Sequence, residues 1–118
     1  MKKELEKRLI NLSININTIC KALDKSYLSY HLTIQVIRSS TSAALNYGEV
    51  QGAISRKDFI HKNSIVLKEL KETKISLRLI EQHAIDDQRK AVLEALNECD
   101  QLVAIFYRTV RSSQINNR

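Results

Sequence analysis

The chain has 118 residues, 43% hydrophobic and 27% charged, with 2 Gly, no Pro and 5% aromatics. That is the size of one domain with its own core, and this composition excludes a β-sandwich, a collagen-like repeat and a disordered chain. Nineteen Lys and Arg against thirteen Asp and Glu leave a formal charge of +6, which points to anionic partners.

The first predicted helix carries Leu5, Leu9, Leu12, Ile16, Ile19 and Leu23, spaced 4, 3, 4, 3 and 4, so all six share one face. Ser26 breaks the pattern and suits an N-cap. The second helix, about 27–50, is assigned the stripe Tyr30, Ile34, Ile37, Thr41 and Ala44. It contains the small-residue run Ser39-Ser40-Thr41-Ser42-Ala43-Ala44, which allows a neighbouring backbone to approach. Gly48 and Gly52 fall where it should end.

Ser55, with Asp58 three residues on, opens the third helix in a capping-box-like pattern. Its stripe is Phe59, Asn63, Val66, Leu70, Thr73, Leu77 and Ile80. The pair Asp86-Asp87 marks the start of the fourth, where a helix N-terminus favours negative charge. Val92, Leu96, Cys99, Val103, Phe106 and Val110 form the last stripe. Residues 113–118 read as a polar tail that frays, leaving 1–112 as the domain.

Short connections make successive helices antiparallel, so the expected fold is all-α, an up-down-up-down four-helix bundle. Ile14, Leu28, Leu32, Val36, Ile65, Leu67, Leu102 and Ile105 lie off the stripes. They predict a second apolar face for a homo-oligomer, with Leu32 and Leu102 chosen as its contacts. No apolar run reaches the roughly 18 residues of a membrane span, and MKKELEKRLINL lacks the pattern of a secretory leader, so the expected compartment is the cytoplasm, with no membrane partner. Cys20 and Cys99 read as buried reduced thiols, a disulfide being the alternative.

From Ile37 to Leu79 the chain resembles the four-helix-bundle family associated with 23S rRNA intervening sequences. The match is carried by Ile37-Arg38-Ser39-Ser40-Thr41-Ser42-Ala43-Ala44-Leu45-Asn46-Tyr47-Gly48-Glu49, by Ser55-Arg56-Lys57-Asp58-Phe59-Ile60-His61-Lys62, and by Leu67-Lys68-Glu69-Leu70-Lys71-Glu72-Thr73. The resemblance implies a left-handed bundle, ring assembly with a pentamer favoured, no catalytic residues, and an association with RNA or ribonucleoprotein. The architecture is also similar to accessory proteins of diversity-generating retroelements, which implies a protein partner such as a reverse transcriptase.

Signals for catalysis are poor. There is no Gly-rich phosphate loop, nucleophile elbow or His-Glu-x-x-His, so neither an enzyme nor a bound cofactor is expected. A di-iron bundle needs two Glu-x-x-His motifs. The nearest spacing is a single Asp58-x-x-His61, so no metal is expected. Arg38, Ser42, Asn46 and Glu49 share a face of helix two. In an antiparallel hairpin they predict the register pairs Arg38–Glu69 and Asn46/Glu49–Lys62; a ligand pocket is the alternative.

The topology also sorts the charge. Residues 1–12, 44–62 and 104–118 meet at one end and hold ten basic and four acidic side chains, while the rest of the chain holds nine of each. The whole excess therefore sits at that end. Lys2, Lys3, Lys7, Arg8, Arg56, Lys57, Arg108 and Arg111 are its candidate RNA or DNA contacts, and Tyr107 is placed to stack on a base. Two readings stay open: a nucleic-acid-binding oligomer, and a structural module whose apolar face takes a partner helix, its basic end serving only solubility.

Overall fold

A computed structural model describes residues 2–83 and 87–116. It contains four helices, α1 (Lys2–Lys21), α2 (Tyr27–Val50), α3 (Arg56–His83) and α4 (Arg89–Asn116), and no strand among the described residues. Each helix packs against its chain neighbours, and α1 also packs against α4, so α1 and α3 lie on one diagonal and α2 and α4 on the other.

The helix boundaries follow from local chemistry. At the start of α2 the Ser26 hydroxyl accepts from the Ser29 amide at 3.2 Å. At the start of α3 the Ser55 hydroxyl accepts from the Asp58 amide at 3.0 Å, and the Asp58 carboxylate returns to the Ile54 amide at 3.1 Å. These contacts satisfy donors that a helix start leaves free. The end of α2 is a turn closed by Gly52 N–H to the Glu49 carbonyl at 3.0 Å; no residue there needs a positive φ. Asp86 lies outside the described residues, and α4 begins at Arg89. At its other end α4 runs on through Asn116, past the boundary at 112 that polarity suggested.

Three predicted stripes coincide with the core. Leu9, Leu12, Ile16 and Ile19 of α1, Val66, Leu70, Leu77 and Ile80 of α3, and Val92, Cys99, Phe106 and Val110 of α4 are all buried. Each large apolar side chain removed from water contributes about 1.5–3 kcal/mol. The Cys99 thiol donates to the Leu70 carbonyl at 3.3 Å, and burial pushes its pKa up to about 12, so it stays protonated. Cys20 is likewise a free thiol with its pKa raised by burial.

Helix α2 departs from its predicted phase. Its buried residues are Ser29, Leu32, Val36, Ser39, Ser40, Ala43, Tyr47 and Val50, while Tyr30 is 68% and Ile34 48% exposed. The face that wins carries the small residues Ser39, Ser40 and Ala43, and the hydroxyls of Ser39 and Ser40 are satisfied on the spot, while that of Ser29 has no partner among the described residues. Ser40 donates to the Ile37 carbonyl at 3.3 Å, and Ser39 shares a 2.7 Å hydrogen bond with Thr73 across the α2/α3 seam. Burial of these polar groups therefore leaves no unmet hydrogen bond at either hydroxyl. At the far end of α2, Tyr47 meets Phe106 of α4 edge to face, at 5.3 Å and 86°.

The choice of Leu32 and Leu102 as oligomer contacts is corrected by the same geometry. Both side chains lie in the core of a single chain, and neither offers a surface to a second copy. The missed phase of α2 is the reason for Leu32. For Leu102 the reason is width: the α4 face toward the core also takes in Ala95 and Leu102, beside the narrower predicted stripe.

Candidate nucleic-acid interface

The helix directions bring the start of α1, the α2–α3 connection and the end of α4 together. The opposite end is marked by Ser26 Oγ at the start of α2 meeting His83 Nε2 at the end of α3, 3.0 Å apart. Arg8 lies opposite Glu98, so the first turn of α1 is about level with residue 104 of α4. At 1.5 Å per residue, Arg108 and Arg111 stand roughly 5–10 Å further along the axis, and the basic end is stepped.

Lys2, Lys3 and Lys7 on α1, Arg56 and Lys57 on α3, and Arg108 and Arg111 on α4 are all exposed, and none forms an ion pair among the described residues. Arg8 is different. Its guanidinium donates to both Glu98 oxygens, at 2.7 and 2.9 Å, and to Gln101 at 3.1 Å. The bidentate bond to Glu98 raises its pKa. Arg8 therefore ties α1 to α4, and as a free phosphate contact it is corrected. Lys62 is held by Asp58 at 3.3 Å one turn earlier on α3. Tyr107 is half-exposed beside Arg108.

The polar motif of the central hairpin divides in two. Arg38 donates to Glu69 at 3.1 Å and to Glu72 at 2.8 Å, bridging α2 to α3. The predicted pairing of Asn46 and Glu49 with Lys62 is absent. Asn46 turns back to the Ser42 carbonyl at 2.8 Å, Lys62 is taken by Asp58, and Glu49 is exposed without an ion pair among the described residues. A side chain one turn away on the same helix is nearer than one across the seam, and here the local partner wins. Glu72, Glu98 and Gln101 were missed as partners. Their signal was present for Glu72, one turn beyond Glu69, but the α1–α4 register has no short loop to reveal Glu98.

Among the described residues no constellation for bond chemistry emerges. Ser26, His83 and Asp24 are close, but Ser26 and Asp24 both approach the same ring nitrogen, at 3.0 and 3.9 Å, and Ser26 donates directly to Asp24 at 2.7 Å. This arrangement caps a helix; no imidazole stands between hydroxyl and carboxylate as a general base requires. Among the described residues no three His, Cys, Asp or Glu side chains could hold a metal ion, and no helix is long and apolar enough to cross a membrane.

An all-α chain built on an Arg-Glu-bridged central hairpin with a basic end matches the family model described as 23S rRNA-intervening sequence protein over residues 2–108. The chain belongs to this family. It is similar to a solved protein of unknown function from the S23 ribosomal protein family of Bacteroides thetaiotaomicron, with 25% identity and a TM-score of 0.78 over 90% of this chain and 97% of that one. No curated protein matches it.

Proposed function

We propose that this protein is a non-enzymatic, homo-oligomeric four-helix bundle that binds RNA through its basic end. The observation that carries the reading is the set of exposed cations at that end, Lys2, Lys3, Lys7, Arg56, Lys57, Arg108 and Arg111, none engaged by a neighbouring carboxylate among the described residues. Unpaired cations on a low-dielectric body attract a phosphate backbone by releasing its counterions. Parallel copies in a ring, five being the favoured number, multiply the field into a basic rim. The family's link to 23S rRNA makes RNA the first candidate and the cytoplasm the site of action.

The surface for self-association moves from Leu32 and Leu102 to the exposed apolar residues of α1 and α2: Ile10, Ile14, Tyr30 and Ile34. Light scattering on the native protein, with the absorbance ratio and sequence of any co-purified nucleic acid, tests both halves. The expected result is a species several times the mass of one chain carrying RNA at low salt. A monomer at micromolar concentration overturns the assembly, and absence of RNA and DNA binding at low salt overturns the rim.

A further inference from the structure

A groove of about 540 Å³ runs between α2 and α3, away from the basic end. Leu28 and Gln35 form one wall, Ile75 and Leu79 the other, and the buried Leu32 and Ser76 its floor. The Arg38–Glu72 pair closes one end. The α2 segment from Leu28 to Arg38 spans about 15 Å at 1.5 Å per residue, the length of two to three helical turns. Leu28, Ile75 and Leu79 are each 43–55% exposed, so three large apolar side chains line a concave surface that no part of the described chain covers.

The charge around the groove is one-sided. Lys71 lines it, with Lys68 one turn before and Arg78 two turns after on the same helix; all three are exposed and in no ion pair among the described residues. Glu72, the acid at its edge, is held by Arg38, which it shares with the buried Glu69. We propose that this groove docks an acidic amphipathic helix of a partner protein, with apolar residues at successive turns seated between Leu28 and Leu79 and flanking carboxylates meeting Lys71 and Arg78.

A second copy of this chain fits poorly. Ile10 and Ile14 of α1 share their face with Lys3 and Lys7, and Leu93 of α4 lies among Asp87, Arg89, Lys90 and Glu94. Neither of these two faces combines its apolar side chains with net negative charge, so a homotypic contact through either of them at the groove meets like charge or none. A phosphate backbone has no use for the Leu and Ile walls.

The test uses the full chain and a fluorescein-labelled synthetic helix of roughly 16 residues, about 24 Å long, with Leu at successive turns and Glu beside them. A control peptide has Lys in place of every Glu. Fluorescence anisotropy should show the acidic peptide binding at least about tenfold more tightly than the basic one. Ile75→Ser with Leu79→Ser, and separately Lys71→Glu with Arg78→Glu, should each weaken it by about tenfold or more. All four positions are exposed, and a circular dichroism melt checks that the fold survives. Lys3→Gln with Lys7→Gln should leave peptide binding unchanged, which separates this site from the basic end. Equal binding of both peptides, no response to either groove variant, displacement by single-stranded RNA, or a groove variant that changes only the assembly mass overturns the proposal.

Discussion

Arg38 holds two carboxylates of unequal exposure, and that inequality decides what its loss costs. The Glu69 side chain is 6% exposed, while those of Glu72 and Arg38 are 40% and 51% exposed. Arg38→Met leaves Glu69 buried without its cation and should cost about 1.5–3 kcal/mol. Glu72→Gln removes only a solvated partner and should cost less than about 1 kcal/mol. Urea unfolding of the two variants gives the comparison, and equal costs would show that Glu69 is satisfied without Arg38. At the opposite end the Ser26 hydroxyl, with the Ser26 amide, holds the Asp24 carboxyl at about 2, below its ordinary 3.8. A lowered folded-state pKa stabilises the fold above the unfolded value, and the stabilisation is lost as pH falls through the folded one. Melting temperature should therefore drop between about pH 4 and pH 2, with this component absent from Asp24→Asn. A second acid contribution comes from Asp58, lowered chiefly by the Ile54 amide, so the variant flattens the curve only in part.

Among the elements, α1, α3 and α4 were legible because large apolar residues recur on one face and nowhere as strongly on another. Helix α2 has two competing faces at helical spacing. Ranking by side-chain size selects Tyr30 and Ile34, which stay exposed, along with Ile37, which packs against the core edge; packing selects Ser39, Ser40 and Ala43, whose small volume lets α3 come close enough for the Ser39–Thr73 bond. Hydrophobic patterning does not register the value of a satisfied small hydroxyl at a tight seam. The Ser-rich run and the Glu-Thr pair did carry that information, but as a family signature, not as a periodicity. The corrected phase makes a prediction. Leu32→Ala should cost about 2–5 kcal/mol, because it empties a buried site on the face of α2 that turns inward. Tyr30→Ser and Ile34→Ser should stay within about 0.5 kcal/mol in the isolated chain, since both residues face solvent there. If α1 and α2 form the contact between copies, light scattering should show those two variants shifting toward smaller species. An unchanged assembly would place the contact on another face.

At the scale of the whole molecule, charge segregation could be read before any coordinates, because topology alone decides which segments share an end. What topology could not reveal was occupancy: Arg8 and Lys62 belong to that end in sequence, yet their charges are taken by Glu98 and Asp58. The central claim is that the remaining free cations bind RNA. It is tested most directly by titrating a fluorescent single-stranded RNA at several salt concentrations against three proteins: the natural chain, the quadruple variant Lys3, Lys7, Arg108 and Arg111 to Gln, and the control Lys71, Lys74 and Arg78 to Gln. The account predicts steeply salt-dependent binding by the natural chain and the control, and weaker, less salt-dependent binding by the quadruple variant with its melting temperature preserved. Equal loss from both sets of substitutions, or no binding by the natural chain at low salt, would contradict it.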